Sequence, residues 1–99
     1  MKLITKELEK IIPDLYSQED EKDPMVYIKY FSILNHWSWY ATEYSREKKL
    51  FFGYVVGDFP EWGYFSLDEF EDINKARSFP AIERDLWFKP TRFSQIKGL

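Results

Sequence analysis

The sequence contains no cysteine, one histidine, four glycines and five prolines among its 99 residues. Without cysteine there is no disulfide framework, no thiolate metal site and no cysteine nucleophile, and a cytoplasmic location is the expectation. No apolar run is long enough to span a bilayer, so no membrane partner is expected. The stretch from Met1 to Lys10 mixes charge into its apolar positions and lacks the continuous apolar core of a signal peptide. Charge of one sign is also scarce: the formal net charge is −3 and the pI about 5.2, with both signs interspersed. That balance disfavours a protein whose affinity comes mainly from neutralising many phosphates while leaving room for a local basic patch, and it falls short of the acidity of a nucleic-acid mimic.

What the chain has in abundance is rings. Aromatic residues make up 20% and hydrophobic residues 44% of it, too much core-forming surface for a disordered polypeptide. A chain of this length buries roughly 65% of its unfolded surface in one core, so residues 1–99 read as a single globular domain. The rings concentrate between Tyr27 and Val56, where three aromatic-rich segments follow each other as a strand meander.

Thr5 is placed as the N-cap of a short helix, with Glu7 and Glu9 in its first turns and Leu8, Ile11 and Ile12 on one side. Pro13 stops that helix near Ile11. Ser17 to Asp23 is a charged run without apolar residues and reads as a solvated loop; it lacks the glycine and spacing of a calcium loop. Met25 to Leu34 is apolar on both faces and predicts an interior strand, followed by a tight turn at Asn35-His36 in which Asn35 adopts positive φ.

From Trp37 the alternation places Trp37, Trp39, Ala41 and Glu43 on one face and Ser38, Tyr40, Thr42 and Tyr44 on the other. Leu50 to Val56 returns as the next strand, where Gly53 marks a bulge or a tryptophan lying across the backbone. Gly57 to Gly63 reads as a loop before a brief strand at Tyr64-Phe65. Ser66-Leu67-Asp68-Glu69 is a capping box that starts a helix running to about Ala76, with Leu67, Phe70 and Ile73 on its buried side. Leu86 to Phe88 is the last expected strand, and Thr91 to Leu99 a terminal turn or a frayed end. The expected architecture is α+β: an antiparallel sheet of about four strands, with the N-terminal helix and the helix after the fourth strand packed on one face.

Several blocks of this sequence resemble one family. Leu-Ile-Thr-Lys-Glu-Leu near the start, Pro-Asp-Leu-Tyr, Trp-Ser-Trp-Tyr-Ala-Thr-Glu, Phe-Phe-Gly-Tyr-Val-Val-Gly, Gly-Tyr-Phe-Ser-Leu and Ile-Glu-Arg-Asp-Leu-Trp-Phe are similar to the bacterial family catalogued as domain of unknown function 2958, from Leu3 to about Pro90. The resemblance implies a setting beside DNA-processing genes of plasmids, phages and other mobile elements, and it carries no catalytic residue set. It ties Trp37, Trp39, Tyr40, Glu43, Gly53, Glu83, Arg84 and Asp85 to the family pattern without assigning them to packing or to a site.

Two functional classes compete on the residues. In the first, Trp37, Trp39, Tyr40, Tyr44, Tyr54 and Tyr64 exceed what a small sheet buries and supply a partner surface, with Tyr40, Tyr44 and Tyr54 on the uncovered side, and Lys48, Lys49 and Arg84 add charge contacts. The protein is then a non-enzymatic accessory module that contacts a protein or a nucleic acid, needs no cofactor or metal, and admits a homodimer through a sheet edge or face. In the second, an extended Ile82-Glu83-Arg84-Asp85 puts two carboxylates on one side, where with Glu43 they hold a divalent ion for phosphodiester hydrolysis. The plainer reading of that segment is a salt-bridge cluster fixing the last strand. His36 reads as a polar turn residue rather than a general base. A third reading, an inhibitor of a host defence nuclease, requires tight binding to that nuclease and none to free nucleic acid.

Overall fold

The computed structural model describes residues 2–99. Two short helices and two antiparallel sheets form in the order α1 (Lys6–Ile11), β1 (Met25–Val26), β2 (Ile28–Ser32), β3 (Ser38–Ser45), β4 (Leu50–Val56), β5 (Pro60–Ser66), α2 (Leu67–Lys75), β6 (Ile82–Arg84) and β7 (Thr91–Arg92). The main sheet has five strands in the order β5-β4-β3-β2-β6, one more than expected, and β1 pairs with β7 in a two-stranded ribbon. Strands β2 to β4 are the predicted meander, and β5 extends it by a longer strand than the brief one expected at Tyr64-Phe65. The chain then leaves β5 at one edge, crosses the sheet through α2 and returns as β6 at the other.

Both helix starts form as the residue types require. The Thr5 Oγ1 accepts the Leu8 amide at 3.2 Å, and the Ser66 Oγ accepts the Glu69 amide at 3.2 Å. Ile12 ends α1 in an extended conformation ahead of Pro13. Asn74, near the end of α2, positions the return strand: its Oδ1 accepts the Ala81 and Ile82 amides at 2.8 Å, and its Nδ2 donates to the Ile82 carbonyl at 2.9 Å.

The core lies between the helices and one face of the main sheet. Phe70 of α2 packs edge-on against Trp39 and Tyr30 at 4.8 and 5.3 Å, and Phe51 stacks on Phe65 at 5.1 Å. Leu3, Ile12 and Leu8 around α1 join the same cluster. Tyr30 is fully buried and donates its hydroxyl to the Leu3 carbonyl at 2.6 Å. Burial pushes its phenol pKa far above the usual range. The unfolded chain ionises Tyr30 near its ordinary 10.0 while the folded chain keeps the proton, so stability falls as pH rises above that value. The expected slope is at most about 1.4 kcal/mol per pH unit. Urea midpoints measured from about pH 9 to 11 check it, and Tyr30→Phe should flatten the decline.

Several local expectations change. The β2–β3 connection runs over residues 33–37 instead of a two-residue turn, and Asn35 shapes it by accepting the Trp37 amide on its side chain at 3.0 Å. The non-glycine residues with positive φ are Tyr16 and Lys49. Segment 57–63 is not all loop: its second half is strand β5, with Pro60 as the first residue, where its missing N–H costs least. Leu86 to Phe88 is a turn, because the Asp85 Oδ1 caps the Trp87 amide at 2.9 Å; the edge strand is β6. Trp37 lies across Gly57, where a Cβ would stand 2.5 Å from its ring. Gly53 instead faces backbone, and a Cβ there would collide with the Tyr40 carbonyl.

The largest correction is the parity of β3. Ala41 pairs with Gly53 but Glu43 pairs with Phe52, so Thr42 is an extra residue and the strand bulges. One extra residue exchanges the two faces for everything beyond it. Tyr44 therefore enters the core beside Phe51, at 4.4 Å between ring centres, and Glu43 moves to the opposite face with Tyr40.

The outer face, away from the helices, is not bare. The C-terminal segment lies on it: Phe88 meets Tyr40 at 6.5 Å, and Phe93 packs against Tyr54 and Trp62 at 4.8 and 4.9 Å. Asp23 holds this segment by accepting the Ser94 hydroxyl at 2.6 Å and its amide at 2.9 Å. These hydrogen bonds keep the Asp23 pKa below the ordinary carboxylate value. Among the described residues no helix is long and apolar enough to cross a membrane.

Candidate functional site

The bulge creates the most distinctive feature of the outer face. Beyond Ala41 strand β3 outruns β2, and the segment following α1 takes over as its neighbour. The Tyr44 amide donates to the Pro13 carbonyl at 2.9 Å, and Gln18 Nε2 donates to the Thr42 and Met25 carbonyls, both at 2.9 Å. Gln18 Oε1 accepts the Met25 amide at 2.7 Å. Glu43 completes the junction, its two carboxylate oxygens accepting the Tyr16 and Gln18 amides at 2.8 Å each. The charged run is thus a loop whose Ser17 and Glu19 to Lys22 are exposed, as expected, but which Gln18 anchors to the sheet.

Between this loop and the β4–β5 surface lies a cleft of about 400 Å³. Phe52, Trp62, Tyr64 and Tyr16 supply its aromatic surface, Glu43, Gln18 and Thr42 its polar lining, and Glu19, Glu21, Lys22 and Pro24 the remaining boundary along the loop. The rings support one another: Phe52 meets Tyr64 edge-on at 5.0 Å and stacks with Trp62 at 6.1 Å. Trp62 remains 41% and Tyr64 50% exposed. The Tyr64 pKa is raised, first by the Tyr16 hydroxyl beside it, then by partial desolvation and by the negative charge of Glu43 and Glu19.

Glu43 is only 4% exposed, and no cation pairs with it among the described residues. Its carboxylate is satisfied by backbone amides and uncancelled in charge. Rings flanking a carboxylate, with two further glutamates on the loop, suit a ligand that is flat or aliphatic in body and positively charged at its tip.

The residues singled out in the sequence distribute differently. Trp39 and Tyr44 are core; Tyr40 is buried beneath Phe88; Trp37 is half-buried on Gly57; and Tyr54 is half-buried under Phe93. Lys29 sits over the Tyr40 ring at 5.5 Å. Lys48 is exposed in the β3–β4 turn, and Lys49 reaches Asp68 at 3.6 Å. Arg84 lies on the core side of β6, donating its Nε to the Lys2 carbonyl at 3.1 Å, while Glu83 is on the outer side opposite Phe31.

Asp85 caps the following turn. Glu43, Glu83 and Asp85 are not brought together: no group of three or more metal-ligating side chains forms among the described residues. The salt-bridge cluster is not formed either, since Arg84 makes no ion pair with either neighbour among the described residues.

Trp62, Tyr16, Phe52 and Gln18 are the cleft residues outside the aromatic set read from the sequence, whereas Tyr64 belongs to that set and does line the cleft. Trp62 and Tyr64 did carry a signal, the period-two spacing about Gly63, masked by two glycines and a proline in seven residues. Gln18 carried none. No curated protein and no solved structure matches the chain. The family model described as Protein of unknown function (DUF2958) matches residues 3–95, and the chain belongs to that family.

Proposed function

We propose that the protein is a non-catalytic binding module that engages a partner protein through the outer face of its sheet, as an accessory of the mobile elements its family resemblance suggests. The observation that carries this reading is the cleft bounded by Trp62, Tyr64, Tyr16 and Phe52. Partly exposed tryptophan and tyrosine in a concave, preformed setting are the residues that dominate protein interfaces. The acidic lining favours a protein over a nucleic acid, because Glu19, Glu21 and Glu43 repel phosphates and Lys22 alone opposes them there. Lys48, Lys49 and Arg84 lie outside the cleft and provide no basic track beside its rings.

Selection of displayed random peptides against the wild-type protein and Trp62→Ala, alongside anisotropy titrations with single-stranded oligonucleotides, tests the reading. Peptides enriched on the wild type should lose roughly tenfold or more in affinity on Trp62→Ala, the effect of removing an interface anchor. Oligonucleotides should not bind. Failure to enrich any peptide, or oligonucleotide binding that survives the substitution, overturns the reading.

A further inference from the structure

Resting on the binding reading above, we propose that the cleft is a receptor for a single cationic side chain, an arginine or lysine presented by the partner. Five observations converge on that occupant. Glu43 places a nearly fully buried carboxylate in the lining with no cation paired to it among the described residues. Its two oxygens accept one amide each, and a carboxylate has capacity for further hydrogen bonds.

Trp62, Tyr64 and Tyr16 present rings beside that charge, and the negative face of a ring attracts a cation while its breadth covers an aliphatic stem. Glu19 and Glu21 on the loop outnumber Lys22, so the field across the opening draws positive charge in. The same sheet face already holds one such pair of its own, Lys29 over Tyr40. A volume of about 400 Å³ is at the small end of ligand pockets, sized for one long side chain and its flanking backbone. An anionic or neutral side chain would leave the Glu43 charge uncompensated.

The test is a nitrogen-15 correlation titration of the full chain with three capped pentapeptides, Gly-Ser-Xaa-Ser-Gly, in which Xaa is arginine, lysine or citrulline. Citrulline retains the shape of arginine without its charge. The arginine and lysine peptides should shift the Trp62 indole and the Tyr64 and Gln18 amides. Each should bind about tenfold more tightly than the citrulline peptide, with affinity falling as salt rises. Trp62→Ala should abolish the shifts while core amides such as that of Phe51 keep their positions. Glu19→Gln, which alters a side chain making no hydrogen bond among those described, should weaken the charged peptides a few-fold, and Lys22→Glu should strengthen them. Trp87→Ala removes a 92% exposed ring outside the cleft and should change nothing.

Equal affinity for arginine and citrulline, shifts centred on Trp87, or indifference to Lys22→Glu would overturn the inference. If peptides selected against the wild type bind at Trp62 but carry no basic residue, the binding reading stands and this inference alone fails. If no peptide of any composition touches the face, both fail together.

Discussion

Replacing Phe51 with alanine is expected to cost roughly 3–5 kcal/mol of folding stability, the range for deleting a buried phenylalanine. Phe51 is fully buried at the centre of the aromatic core, its ring 5.4 Å from Tyr30, 4.4 Å from Tyr44 and 5.1 Å from Phe65. Those neighbours hang from separate elements held by their own hydrogen-bond ladders, so they cannot collapse into the space a missing ring leaves. Set against a total stability of about 5–15 kcal/mol for an ordinary domain, such a loss leaves little in reserve.

The adjacent Phe52→Ala provides the comparison. It removes the same atoms from the same strand, but from a half-buried ring on the outer face. Urea unfolding should show the Phe51→Ala midpoint falling at least twice as far as that of Phe52→Ala, with similar slopes. Equal losses would mean that the two faces of β4 are not divided as the bulge in β3 requires. Phe52→Ala should in turn loosen the cleft, since Phe52 bridges Trp62 and Tyr64.

Glu43→Ala has the second large effect, and a local one. The side chain holds the Tyr16 and Gln18 amides, and charge-assisted hydrogen bonds of this kind contribute about 1.5–3 kcal/mol each where buried. Both amides belong to a partly solvated loop that water can reach once the carboxylate is gone, so the expected net cost is nearer 2–3 kcal/mol in total. Amide hydrogen exchange is the appropriate measurement. Protection should drop at Tyr16, Gln18 and Met25, which the Glu43–Gln18 network ties together, while Tyr30 and Phe51 retain theirs relative to global unfolding. Glu43→Gln keeps one acceptor oxygen and turns an amide against the other donor, so it should fall between the wild type and alanine. Unchanged exchange at Tyr16 and Gln18 would show that the loop is held by something other than Glu43.

How much of this was legible beforehand depends on how local the cause is. The capping residues Thr5 and Ser66 act on amides three positions away, and both helices begin where those residues stand. The bulge was half legible: Gly53 points to one at this rung, but the extra residue, Thr42, lies in the partner strand, where the alternation from Trp37 to Tyr44 looks unbroken. The inserted residue leaves no trace in its own strand, yet it sends Tyr44 to the core and Glu43 to the cleft. Of the two readings Gly53 allows, the bulge is the one that forms: the Tyr40 carbonyl approaches Gly53 there, and the tryptophan lies on Gly57 instead.

The amino-acid sequence by itself determined the α+β class, both helix starts, the strand meander and the family, because caps, periodicity and short sequence blocks each lie within a few consecutive residues. The tertiary structure alone decided which aromatic rings are buried and which line the cleft. That choice rests on contacts between distant positions: Gln18 with Thr42, Glu43 with Tyr16, Asp23 with Ser94, and Phe93 with Trp62. Each depends on a strand having shifted by one residue or a tail having folded back, and a pattern read along the chain contains neither distance.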